Sequence, residues 1–175
     1  LPPASLFTVL LLQAALLWIV SLPIQAAAAL GSSRPLGPLD ALGAALWAAG
    51  LAFEAVADAQ LARFLARPGS AGRVMHDGLW RYTRHPNYFG DALLWWGIGL
   101  VAVSAGAAWA LVGPALMTFL LVRVSGVALL ERDIGRRRPE YADYVARTSG
   151  FLPWPPRRAG RGARAPSPGP SSSGA

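Results

Sequence analysis

Leu79–Trp95 reads LWRYTRHPNYFGDALLW, which sets two arginines, a histidine, an asparagine and an aspartate directly against the start of a long apolar run. A helix in a bilayer satisfies its own backbone groups but not a side-chain charge. Asp91, one turn inside an apolar stretch that continues to Val103, should therefore face protein or a polar cavity. An ionisable residue in such a place is a functional-site hypothesis by default. Pro86 suits the first turn of a helix, where its missing N–H is an orphan anyway, so a helix is predicted to begin close to His85 or Pro86.

Outward from this junction the composition is that of a membrane protein: of 175 residues, 54% are hydrophobic and 14% charged. Four runs, Ser5–Leu30, Leu39–Ala62, Tyr88–Val103 and Ala107–Leu130, approach the roughly 20 residues at about 1.5 Å each that a hydrocarbon core requires. The expected fold is an all-α, polytopic integral membrane helical bundle of four visible transmembrane helices, followed by a cytoplasmic juxtamembrane C-terminal segment. Ala26–Ala29 resembles a signal-peptide cleavage site, but no basic residue precedes the first run and its apolar stretch is too long. The chain begins with Leu1 rather than methionine, so it is expected to be a fragment or a processed product lacking upstream helices.

All 16 basic residues are arginines, and their placement predicts orientation. Arg63, Arg67, Arg73, Arg81 and Arg84 lie between the second and third runs, and most of the others follow the fourth. Gly31–Pro38 holds only Arg34. The positive-inside rule makes the Arg63–Arg84 loop and the C-terminus cytoplasmic. The net charge of +7 accompanies no recognised nucleic-acid module, and orientation together with anionic membrane lipids accounts for it. Arginine-only basicity and abundant alanine point to a bacterial inner membrane. With no cysteine there is no disulfide and no thiolate site, and His76 and His85 are too few for the common imidazole metal sites.

Proline and glycine punctuate the chain at Gly31–Pro38 and Arg67–Leu79, predicting loops. The third and fourth runs are separated only by small residues around Ser104–Ala108, predicting a tight hairpin whose helices approach through Gly97, Gly99, Gly106 and Gly113. Pro139 is read as opening a short helix that ends near Gly150, with Tyr141, Tyr144 and Arg147 on one face. Phe151–Trp154 reads as an interfacial aromatic anchor. Residues 1–158 are taken as the membrane domain. Residues 159–175, almost wholly Gly, Ala, Pro, Ser and Arg, are expected to form a disordered tail.

Three polar constellations are candidates for chemistry. Glu54 and Asp58, four apart with Arg63 just beyond, read either as a pocket wall accepting hydrogen bonds or as an internal ion pair with arginines of the next loop. Arg81, Arg84 and His85 precede a helix N-terminus bearing Asn87 and Asp91, an arrangement suited to a phosphate or carboxylate, with Tyr82 and Tyr88 available to a planar ring. The plainer alternative is contact with lipid phosphates and a helix cap. Glu131, Arg132 and Asp133 would close the pocket from the C-terminal side or form a solvated cluster, the reading preferred for Arg136, Arg137 and Arg138. No glycine-rich phosphate loop is present.

The string GLWRYTRHPNYFGDALLWWG, followed by LLERDIGRRRPEYADYVARTSGFLPWPP and preceded by FEAVADAQLARF, resembles a bacterial branch of the steroid 5α-reductase superfamily over roughly residues 39–156. The RHPNY core is also similar to that of isoprenylcysteine carboxyl methyltransferases and phospholipid methyltransferases, whereas NYFGD and the ERD-to-YADY stretch are similar to sterol C14- and C24-reductases. The reductase resemblance implies NADPH as cofactor and reduction of a polarised carbon–carbon double bond in a steroid-like or other lipid substrate. The methyltransferase resemblance implies S-adenosylmethionine instead. Carried onto this chain, the resemblance implies cofactor binding by Glu54, Asp58, Arg63, Arg81, Arg84, His85, Asn87, Tyr88, Asp91, Glu131, Arg132, Tyr141, Tyr144 and Arg147. It places Tyr88 and Asp91 next to the chemistry. A non-catalytic lipid-binding protein on the same scaffold is the third expectation.

Overall fold

The computed structural model describes residues 3–31, 34–125 and 140–157. Glu131, Arg132, Asp133, Arg136–Arg138, Pro139 and the expected tail lie outside the described residues. Within them the chain is helical, with no strand and one isolated bridge between Thr83 and Ser149.

The first apolar run is not one straight rod. Helix α1 (Pro3–Val20) and helix α2 (Leu22–Leu30) meet at a 45° bend. Pro23 lies in the first turn of α2, where its ring cannot donate to the preceding turn. Helix α3 (Pro38–Leu65) begins as sequence rules expect, with extended Gly37 at the cap and Pro38 at the first position. The Asp40 carboxylate accepts a hydrogen bond from the Gly37 N–H at 2.8 Å. It also pairs with Arg34 and accepts the Ser104 hydroxyl at 3.0 Å, which ties the α2–α3 connection to the far end of the next helix.

Helix α4 (Pro86–Ser104) starts where the LWRYTRHP junction predicted, with His85 at the cap position and Pro86 inside. Gly106, at φ 90°, turns the chain immediately after it, since a side chain there would be strained. The fourth run then changes character repeatedly: a 3-10 turn (Ala108–Leu111), helix α5 (Val112–Phe119) and a π-helical turn (Leu120–Ser125). Helix α6 (Glu140–Arg147) closes the described fold.

The largest helix–helix interface joins α3 and α4, antiparallel. Its seam is made of small residues two turns apart on each helix: Gly43 and Gly50 on α3, Gly97 and Gly90 on α4. A Cβ on Gly97 would sit 2.6 Å from the Gly43 carbonyl oxygen, and one on Gly90 would sit 2.7 Å from the Gly50 carbonyl oxygen. Backbones approach this closely only where neither helix has a side chain in the way. The hairpin reading of the glycines is thus corrected. Gly97 serves the α3 seam and Gly113 packs on Val20 and Pro23 at the α1–α2 bend, while Gly99 alone meets the fourth run, at Leu111 and Pro114.

Membrane-spanning length is narrower than the four runs suggested. Among the described residues α3 alone is long and apolar enough to cross a bilayer, and α1 with α2 qualifies only if the bent pair is one span. Ala108–Val124 is apolar but shorter. Proline bends the first run and turns divide the fourth, while α4 is unbroken but carries Asn87 and Asp91 among its 19 residues, which dilute its apolar character.

Candidate functional site

The end of the bundle where α3 stops and α4 starts is built by three short pieces of chain. Gln60, near the end of α3, accepts the Leu79 N–H at 2.9 Å and so fixes the 3-10 turn Gly78–Arg81. From that turn the Trp80 indole donates to the Ala57 carbonyl oxygen at 3.1 Å, laying the ring against α3. Thr83, fully buried, donates its hydroxyl to the Phe151 carbonyl oxygen at 2.9 Å, and the Trp154 N–H donates to the Tyr82 carbonyl oxygen at 2.9 Å. The segment after α6 is thereby fastened to the LWRYTRHP stretch.

Arg84 adds three more bonds to this fastening. One guanidinium nitrogen donates to the Thr148 carbonyl oxygen at 2.7 Å and to that of Val145 at 3.2 Å, while the Arg84 N–H donates to Ser149. A cation among the free carbonyls at a helix C-terminus is electrostatically favoured. The Tyr144 hydroxyl donates to the Trp80 carbonyl oxygen, completing the dock.

These contacts shape a half-open cavity of about 270 Å³. One wall is apolar, from Leu61, Phe64 and Leu65 of α3 with Val74 and Met75 of the loop. The other is aromatic and polar: Trp80, Arg84, His85, Asn87, Tyr88, Tyr141 and Tyr144. The His85 and Tyr88 rings lie parallel, 5.4 Å apart with 3° between planes, and those of Tyr141 and Tyr144 are 5.9 Å apart. Such surfaces suit a flat ring, and the polar ends of the half-buried Asn87 and Tyr88 suit an oriented carbonyl or amide. His85 holds the cap position of α4, as the plainer reading of it has, although its side chain makes no capping hydrogen bond there.

Of the residues expected in the site, Arg84, His85, Asn87, Tyr88, Tyr141 and Tyr144 are brought together here. Arg81 and Arg147 are exposed and line an adjoining cleft of about 540 Å³ with His76, Asp77, Tyr144, Thr148, Pro156 and Arg157. Tyr144 is a wall of both spaces. Glu54, Asp58 and Asp91 form a separate acidic group: Glu54 lies within electrostatic reach of the other two, and the Trp95 indole hydrogen-bonds Asp91. None of the three lines the cavity, so Tyr88 and the half-buried Asp91 do not share it. The ion-pair alternative for Glu54 and Asp58 is not realised among the described residues. Arg63 is exposed and outside the cavity, and so is Tyr82, which contributes a backbone acceptor rather than a ring. Phe151 turns inward onto Phe89 at 6.0 Å, leaving Leu152 and Trp154 as the exposed part of the expected anchor. Trp80 and Thr83, within the opening motif, were not anticipated as site-building. Their neighbours in sequence carry charge and drew the reading instead.

An all-helical chain with a membrane-length apolar helix and an aromatic cavity at its end is the class that this geometry defines. A family model described as "Protein of unknown function (DUF1295)" matches residues 2–148, and the chain belongs to that family, which is part of the steroid 5-alpha-reductase-like family. The chain is 33% identical over 88 residues to 3-oxo-5-alpha-steroid 4-dehydrogenase 1 of Macaca fascicularis, a match covering 50% of this chain and 31% of that protein. It thus spans about a third of the relative's length. No solved structure matches.

Proposed function

We propose that this protein is a membrane-embedded, NADPH-dependent oxidoreductase that reduces a carbon–carbon double bond of a steroid-like or other lipid substrate. The observation that carries the reading is the pairing of an aromatic cavity with an arginine-lined cleft across one shared residue, Tyr144. A dinucleotide has that dual character, since each of its flat rings is joined through a ribose to charged phosphates. Membership in the steroid 5-alpha-reductase-like family and the printed activity of the relative support the choice of reaction.

The chemistry of the donor set fits the cofactor. Arg81, Arg84 and Arg147 supply planar fork donors of the kind phosphates take. His85, Tyr88, Tyr141 and Tyr144 would flank its ring, with Leu61, Phe64 and Leu65 supplying the apolar wall. Bound NADPH would supply the hydride. Tyr88 and Asn87 are neutral donors in the cavity suited to hydrogen-bond a substrate carbonyl, which polarises a conjugated double bond towards reduction. Tyr88 is also the donor assigned to deliver the accompanying proton, to be replaced from solvent.

In this reading the chain crosses the membrane four times with the Arg63–Arg84 loop and the C-terminus cytoplasmic, in a bacterial inner membrane, residues 1–158 forming the membrane domain. Broad exposure of Leu6, Phe7, Leu11, Leu17 and Trp18 on α1 supports contact with lipid, because apolar area of that extent is disfavoured in water.

One observation favours a second reading, methyl transfer from S-adenosylmethionine. Glu54, Asp58 and Asp91 have no arginine partner among the described residues, and a sulfonium prefers carboxylates and aromatic faces. The experiment is direct: the purified protein is given NADPH with steroid enones, and separately S-adenosylmethionine with a prenylcysteine and a phospholipid. A saturated product formed with oxidation of NADPH supports the reductase. A methylated product overturns it, and turnover with neither points to a lipid-binding role.

A further inference from the structure

Ala57, Gln60, Leu61, Phe64 and Leu65 follow one another along α3 at the three- and four-residue steps that put side chains on one helix face. Leu61, Phe64 and Leu65 wall the cavity, and the Ala57 carbonyl oxygen accepts the Trp80 indole. Gln60 is the polar member of this stripe and does not line the cavity. Its Oε1 accepts the Leu79 N–H, one residue before Trp80. Gly78, on the other side of that N–H, stands at φ 59° with the Gln60 amide against it: a Cβ there would lie 2.5 Å from Oε1 and 2.7 Å from Nε2. A left-handed backbone and an occupied Cβ position both call for glycine.

Trp80 passes this placement on twice. Its ring is part of the cavity wall, and its carbonyl oxygen accepts the Tyr144 hydroxyl. Tyr144 in turn walls both the cavity and the adjoining cleft. We infer that Gln60 is a positioning residue for the site. Without touching the ligand, its side-chain carbonyl sets the Gly78–Arg81 turn and, through Trp80, the two aromatic walls that a flat ring meets. That the ring is NADPH's rests on the function proposed above, whereas the placement of the walls does not.

The test uses the full-length protein in detergent, labelled with 3-fluorotyrosine. Its four tyrosines give four fluorine resonances, and Tyr144→Phe identifies the one from Tyr144. Three further variants are compared, each at a temperature where circular dichroism shows it folded. Gln60→Met keeps the reach of the side chain but offers no oxygen, and Gly78→Ala pushes the Gln60 amide off the Leu79 N–H from the other side. Gln60→Glu restores an acceptor oxygen at the same reach. Gln60→Met and Gly78→Ala are expected to displace the Tyr144 resonance and weaken NADPH binding about tenfold, while Gln60→Glu keeps the wild-type resonance and binds within about threefold of wild type. A lower melting temperature with an unmoved Tyr144 resonance would show that Gln60 merely holds the helix end, and overturns the inference. So does NADPH affinity that ignores both Gln60→Met and Gly78→Ala, or a Gln60→Glu protein that behaves as Gln60→Met does. Should the wild type bind no NADPH, the proposed function fails, and the Tyr144 resonance alone decides the role of Gln60.

Discussion

Arg84 and Thr148 are joined by a 2.7 Å hydrogen bond from guanidinium to main-chain carbonyl across 64 residues of sequence. The arginine that sequence logic assigned to an anion thus also fastens the C-terminal segment over the cavity, with Tyr141 and Tyr144 carried in place by α6. One residue shapes the site both by charge and by closing it.

Arg84→Ala should therefore have two effects. Removing a charge-assisted donor from two carbonyl acceptors should destabilise the protein by about 1–3 kcal/mol and speed proteolysis within residues 140–157. NADPH affinity should fall by one to two orders of magnitude. Unchanged proteolysis and unchanged affinity in a folded variant would contradict the role.

Tyr144→Phe deletes only the hydroxyl that donates to the Trp80 carbonyl oxygen. A loss of about 1 kcal/mol is expected, read as a lower melting temperature, with the ring still walling the cavity. Ligand affinity should change less than in Arg84→Ala.

The α3–α4 seam tolerates no added carbon. A Cβ at Gly90 would lie 2.6 Å from the Glu54 backbone nitrogen, so Gly90→Ala should cost about 1–3 kcal/mol through overpacking. Gly97→Ala should behave alike, while Ala52→Leu on the exposed face of α3 should leave the melting temperature nearly unaltered.

Because the chain has no cysteine, single-cysteine labelling reads its topology without background. Ala71→Cys and Ala108→Cys stand in the connections at opposite ends of α4. A membrane-impermeant maleimide should reach the first only from the cytoplasmic side and the second only from the other. Labelling of both from one side would contradict the spanning arrangement.

Where the sequence spoke in covalent terms it was easy to read. Pro86 marks a helix start because a ring nitrogen admits few other places, whereas Pro38, read as the end of the Gly31–Pro38 loop, opens α3; the cluster Arg84–Tyr88 gathers at the cavity because consecutive residues cannot stray far. Partnerships were harder. Gly97 could have served either neighbouring helix, and only the two-turn register shared with Gly43, Gly50 and Gly90 settles it on α3. Arg63 and Asp91 carry the right chemistry on paths that turn them from the cavity, a rotation of helix faces that charge alone does not encode. Trp80 and Thr83 act through main-chain partners far along the chain, Thr83 with Phe151, which single-sequence periodicity cannot register.

The most direct test of the account is a thermal-shift titration of the full-length detergent-solubilised protein with NADPH, NADH and S-adenosylmethionine, since a ligand bound by the native state raises stability by about 2.7 kcal/mol at a hundredfold excess over its Kd. The account predicts stabilisation by NADPH, reduced in Arg84→Ala, and none by S-adenosylmethionine. Stabilisation by S-adenosylmethionine alone, or by no ligand of the three, would contradict it.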